Sequence, residues 1–133
     1  MRTFVRKLIF VVMIGILLLS GCARASTKAT GKGLFHITLS GKETLLKFGR
    51  NEVDLHITDV KGADLEGAQV EITPWMPEHS HGTLWPPTVT EKGKGHYRAV
   101  IPLTMAGHWE LRIRIQKGDL QDSAVFDFPD VAK

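Results

Sequence analysis

The sequence predicts an all-β domain, an antiparallel immunoglobulin-like β-sandwich of about seven short strands. Two patterns carry that expectation. Apolar and polar residues alternate with period two over several short runs, and glycine-rich turn signals separate those runs. No stretch shows the 3.6-residue apolar repeat, with caps, that a helix needs.

The strands follow in order. Residues 34–40 (LFHITLS) form the first, ended by Gly41-Lys42. A weaker extended segment, 44–48, leads to a turn at Gly49-Arg50-Asn51. Residues 52–59 (EVDLHITD) alternate cleanly, with Val53, Leu55 and Ile57 on one face. After the turn region 61–67, residues 68–75 alternate again, with Val70 and Ile72 inward. A loop rich in histidine and proline follows, then a short run at 87–90 and a strong turn at Lys92-Gly93-Lys94-Gly95. Residues 96–103 give the next strand. Residues 107–116 (GHWELRIRIQ) are the clearest of all, with Trp109, Leu111, Ile113 and Ile115 inward and His108, Glu110, Arg112 and Arg114 outward. Lys117-Gly118-Asp119 turns the chain into a last strand at 122–128.

What precedes residue 34 reads differently. Arg2, Arg6 and Lys7 make a positive start, and 8–19 (LIFVVMIGILLL) is an apolar run too short for a span of roughly 20 residues. It ends in Leu19-Ser20-Gly21-Cys22, which resembles the lipobox of bacterial lipoproteins, whose cysteine is lipidated. Residues 1–21 are thus expected to be a lipoprotein signal peptide and Cys22 the lipidation site. An ordinary signal peptide or an uncleaved anchor is the competing reading. Residues 22–33 read as a flexible tether and 34–133 as the domain. Localisation at the cell envelope follows, with the chain held to a membrane through its lipid and facing the periplasm or the exterior. Because Cys22 is the only cysteine, an internal disulfide is excluded.

The basic composition is largely a property of the signal. Arg2, Arg6 and Lys7 are three of the 17 Lys and Arg, and without them the charge balances the 14 Asp and Glu. That argues against nucleic acid or an anionic membrane as partner. The carboxylates are spread along strand faces, and no serine or cysteine nucleophile has a plausible base. A catalytic role is therefore disfavoured.

The chemical content is concentrated in Trp75-Met76-Pro77-Glu78-His79-Ser80-His81-Gly82, where a strand ends in a loop. If each strand reverses direction, the loop at 104–108 falls at the same end, bringing Met105 and, more weakly, His108. His36, His56 and His96 lie toward the opposite end or on a solvated face. In an extended segment His79 and His81 point the same way, with Ser80 turned aside. Met76, His79, His81 and Met105 then make a two-His, two-Met donor set. Thioethers favour Cu(I), imidazoles alone would accept Cu(II), and zinc is disfavoured because thioether is a poor ligand for it. The bland alternatives are that Met76 and Met105 plug the end of the core and that the histidines are solvated. Trp75 and Trp85 bracket the loop among Pro74, Pro77, Pro86 and Pro87, as a hydrophobic cap, a wall around a metal, or a platform for a partner or a sugar.

The order of Gly49-Arg50-Asn51-Glu52-Val53, Asp59 to Gly62, Gly67-Ala68-Gln69-Val70, Met76-Pro77-Glu78-His79-Ser80-His81-Gly82, Gly95-His96-Tyr97 and Met105-Ala106-Gly107-His108-Trp109-Glu110-Leu111 resembles the YtkA-like domain family, related to the FixH-like proteins. The resemblance covers nearly all of 34–133. It implies an extracytoplasmic sandwich with a role in copper handling, and Met76, His79, His81 and Met105 as the residues of interest. It implies a role in assembling copper-containing respiratory oxidases as well, and the partners expected for a copper-handling domain are a copper exporter, a chaperone or a respiratory oxidase. FixH-like members carry a membrane helix where this chain has its lipoprotein signal.

The leading expectation is a lipid-anchored, monomeric, copper-binding domain that holds or hands over the metal. A metal-free interaction module using the Trp75/Trp85 end competes with it, and carbohydrate binding through the same tryptophans is a third reading.

Overall fold

Period-two alternation in sequence becomes alternation of burial in the computed structural model, which describes residues 25–40 and 46–133. Along β8 (Gly107–Lys117), Trp109, Leu111, Ile113 and Ile115 are fully buried while Arg112 and Arg114 face solvent. Each inward side chain removes its apolar surface from water, at about 25 cal/mol per Å². That burial, with no cross-link, holds the two sheets together.

Nine strands are seen among the described residues: β1 (Ser26–Ala29), β2 (Phe35–Ser40), β3 (Gly49–Asp59), β4 (Gln69–Met76), β5 (His81–Gly82), β6 (Thr88–Gly93), β7 (His96–Leu103), β8 and β9 (Leu120–Val131). One sheet has the order β1-β2-β3-β7-β6 and the other β5-β4-β8-β9, and every pair of neighbouring strands is antiparallel. Ile37, Leu55, Ile57, Ala99 and Ile101 of the first sheet and Ile72, Trp109, Leu111, Ile113 and Phe126 of the second belong to one core. The fold is the expected antiparallel, immunoglobulin-like sandwich.

Two parts differ from the sequence expectation. The stretch expected to be a flexible tether includes a strand: β1 pairs with β2 from Ser26↔Leu39 to Ala29↔His36. All four β1 residues are exposed, so the strand buries no apolar face and leaves no pattern to read; backbone pairing holds it, with the Thr27–Thr38 hydroxyl bond and the Lys28 ammonium on the Val125 carbonyl. After it, the Asp122 carboxylate accepts from the amides of Lys32, Leu34 and Ser123 and fixes the turn into β2. Burial pushes this carboxyl up, but the Thr30 hydroxyl and those three amides outweigh it and hold it at about 2. The turn expected at Gly49-Arg50-Asn51 is instead the start of β3. Asn51 is completely buried, and its side-chain amide donates to the carbonyls of Lys47, Gly49 and Ile101 while its oxygen accepts from the Lys47 amide. An asparagine that reads as a turn former pins the bend from inside. Residues 44 and 45 of the extended segment expected at 44–48, the turn after Ser40, the apolar run 8–19 and Cys22 lie outside the described residues.

Strand direction decides which loops meet. β4 runs alongside β8 with Trp75 opposite Glu110, so the end of β4 adjoins the start of β8. β7 ends at Leu103 opposite Gly49, and residues 104–106 carry the chain from there to β8. The turn at 77–80 and the loop at 104–106 therefore share one tip of the sandwich.

Candidate metal centre

Pro77, Glu78, His79 and Ser80 form a four-residue hairpin loop between β4 and β5. The amides of His79 and Ser80 both donate to the Met76 carbonyl, at 3.3 and 2.9 Å, and Ser80 closes the turn with φ 54°. The expectation of an extended His79-Ser80-His81 segment fails here, because a left-handed residue stands between the histidines. The turn itself brings the two rings together: their centroids lie 5.7 Å apart, tilted by 37°. Two imidazoles bound to one ion at about 2.0 Å per nitrogen have centroids roughly 5–6 Å apart. The separation fits a shared metal.

His81 opens β5, opposite Met76. Directly paired residues of an antiparallel ladder project to the same face. His81 is exposed at the sheet edge, whereas Met76 is 1 % exposed and packs into the end of the core. The His81 Nδ1 lies 2.9 Å from the Gly82 carbonyl oxygen. A carbonyl can only accept, so Nδ1 carries the proton and a neutral ring presents its lone pair at Nε2. Gly82 has no room for a side chain, since a Cβ would sit 2.8 Å from the Pro74 carbonyl. The second loop brings Met105, 39 % exposed, whose carbonyl accepts from the Trp109 indole at 3.0 Å. A Cβ on Gly107 would lie 3.2 Å from the Met76 methyl, so the end of β4 and the start of β8 are in close contact beneath the two loops.

The other expected site residues are placed differently. His108 sits at a register shift between β8 and β9 and is engaged on both sides. Its Nε2 meets Asp127 at 2.5 Å and its Nδ1 lies 3.6 Å from Glu78. The Asp127 hydrogen bond raises its pKa, partial desolvation opposes this, and the Asp127 and Glu78 charges add to the rise. A ring set between two carboxylates joins the turn to the sheet, with Asp127 on Nε2 and Glu78 farther off on the Nδ1 side. Trp75 does not wall the site: its ring lies under the Arg112 guanidinium at 4.9 Å. It faces away from Met76 and His81, being the neighbouring residue on a strand. Trp85 is 62 % exposed, in the crossover after β5. His56 and His96 stack at 4.4 Å on the first sheet, and Asp64 meets His56 Nε2 at 2.8 Å. Among the described residues no set of three or more His, Cys, Asp or Glu is arranged to hold a metal ion.

Sequence reasoning missed Glu78 and Asp127. Glu78 lies within the motif, but its reach to His108 depends on the packing of the two loops. Asp127 carries no local signal, since only the β8–β9 register brings it there.

The class defined by this geometry is a small immunoglobulin-like sandwich with imidazole and thioether groups gathered at one tip. The sequence model of the YtkA-like family matches residues 32–114, and the chain belongs to that family. A search of curated proteins finds no significant match. Among solved structures, a DUF4426 family protein from Pseudomonas aeruginosa PAO1 is similar, with TM-score 0.51 and 12 % identity over 80 % of this chain and 96 % of that one. The Lin-41 filamin domain gives TM-score 0.49 and 14 % identity over 73 % and 91 %. Such likenesses speak to the fold alone. Sandwich and family together suggest a non-catalytic module.

Proposed function

We propose that this protein binds one copper ion at the tip formed by the 77–81 hairpin and the 104–106 loop, and holds or hands over the metal without catalysing a reaction. His79, His81 and Met105 supply the exposed donors, with the buried Met76 thioether beneath them. The observation that supports this most is the imidazole pair at 5.7 Å, with His81 Nδ1 turned to the Gly82 carbonyl and Nε2 left facing outward for a metal. Thioether beside imidazole favours Cu(I). The protein is a monomer held at the cell envelope through lipidated Cys22, and a copper exporter, chaperone or respiratory oxidase is its exchange partner. Competition for Cu(I) against a chelator tests the reading. Affinity should fall by about 100-fold or more when both imidazoles are removed, at about 1.4 kcal/mol per tenfold. Equal affinity in wild type and the His79→Ala/His81→Ala variant would end it.

A metal-free interaction module is the second reading. What favours it is the crossover after β5, where Leu84 and Trp85 are 79 % and 62 % exposed. It predicts that Trp85→Ala abolishes recovery of a partner in a pull-down while the histidine variants do not.

A further inference from the structure

Along one side of the sandwich the outer strands are β1 of the first sheet and β9 of the second. Lys28 straps that side: its ammonium donates to the Val125 carbonyl at 2.8 Å and lies 5.4 Å from the centre of the Phe126 ring. Next to the strap a cleft of about 410 Å³ opens between the sheets. Leu39 and Val53 wall it from one sheet, and Phe126, Phe128 and Val131 from the other. Pockets for small ligands hold roughly 300–1,000 Å³, so the volume suffices for one. None of Met76, His79, His81 and Met105 lines it, so it is separate from the candidate metal centre.

Three observations choose an occupant. The walls are apolar and favour hydrocarbon. The rim carries the exposed carboxylates of Asp127 and Asp130 against one ammonium, Lys28, which is already engaged by the Val125 carbonyl. A free fatty acid or a phospholipid phosphate would bring negative charge beside those carboxylates, so hydrocarbon on an uncharged link suits the rim better. Finally, Ser26, the first residue of β1, lines the cleft, and Cys22 stands four residues before it, a reach of at most about 14 Å. An acyl chain attached to Cys22 is uncharged hydrocarbon delivered within that reach.

We propose that the cleft between β1 and β9 holds an acyl chain carried on Cys22 and shields it from water while the protein is away from a bilayer. Hydrocarbon left in water costs free energy in proportion to its exposed surface, and the cleft removes part of that surface. In a bilayer the membrane interior gives the chain the same shelter and the cleft empties. The inference rests on the lipidation of Cys22 in the proposed function and is independent of the metal.

The full chain is produced in bacteria fed a diazirine-bearing fatty acid, purified without metal, freed of detergent at low concentration and irradiated. Intact mass shows first whether Cys22 carries the lipid; an unmodified cysteine would defeat the anchoring reading along with this one. Lipidated chains should run as monomers and cross-link within one molecule to Leu39, Val53, Phe126 or Phe128. Ser26→Trp, at an exposed position in the mouth of the cleft where folding is not at stake, should lose most of those cross-links. Lipidated chains that associate and cross-link between copies, or that cross-link away from the cleft, would overturn the proposal while leaving the anchor intact. In a second arm the free diazirine fatty acid is added to protein carrying unlabelled lipid. The cleft should stay unlabelled, and labelling of its walls would overturn the assignment to the chain on Cys22.

Discussion

The indole nitrogen of Trp109 donates to the main-chain carbonyl of Met105 at 3.0 Å. Trp109 is completely buried, so one of the largest core side chains fixes the loop that carries an exposed thioether. Trp109→Phe keeps most of the packing and removes the bond. It should destabilise by about 1–3 kcal/mol through the lost hydrogen bond and the lost volume. Cu(I) affinity should weaken too, because the Met105 loop is no longer held. Urea denaturation and chelator competition read the two effects separately; stability lost with affinity intact would detach Met105 from the site.

The hairpin offers two opposed substitutions. Ser80 has φ 54°, where a side chain is strained and glycine is not. Ser80→Gly should therefore be neutral or stabilising by up to about 1 kcal/mol. Gly82→Ala places a Cβ 2.8 Å from the Pro74 carbonyl and must push β5 away from β4. A cost of about 1–3 kcal/mol is expected, together with a loss of metal affinity as His81 is displaced. Thermal unfolding of both variants distinguishes them by sign.

Asp122 should govern acid stability at the other end of the molecule. Its carboxyl, held at about 2 in the folded protein, titrates near 3.9 when unfolded. A depressed folded pKa contributes stability that is present above the unfolded value and is lost as pH falls through the folded one. The wild type should therefore lose stability from about pH 4 down to about pH 2. Asp122→Asn should flatten that part of the profile and lower stability at neutral pH, and hydrogen exchange should show the Lys32 and Leu34 amides losing protection.

His108 should respond in the opposite direction. Its folded pKa is raised, first by the Asp127 hydrogen bond, so the contribution of the protonated ring is present below the unfolded value and lost as pH rises through the folded one. His108→Gln should remove that decline on the alkaline side. NMR titration of the His108 ring resonances checks the direction, and a midpoint below that of an unperturbed imidazole would contradict it.

Much of the sandwich was legible because its strands bury one face. The alternation of β8 and the clean run at 52–59 describe inward and outward sides directly. β1 was not legible, since an exposed edge strand held by main-chain bonds has no apolar period. Asn51 misled for a related reason: a buried amide that satisfies a bend from within has the same letter as a turn residue. At the tip, strand direction was enough to bring Met105 to the end that carries His79 and His81. It could not show that Met76 would sink into the core, that Ser80 would break the extended segment, or that Trp75 would turn under Arg112. Those outcomes are set by side-chain packing between strands that are remote in sequence. The capture of His108 by Asp127 is the same kind of fact, because it depends on a register shift between β8 and β9.

The central claim, a copper ion shared by imidazole and thioether at one tip, is tested most directly by X-ray absorption of the Cu(I)-loaded protein. Nitrogen scattering that depends on His79 and His81 should be accompanied by a sulfur shell that diminishes in Met105→Leu. A spectrum with nitrogen and oxygen neighbours alone, unchanged by that substitution, would contradict it.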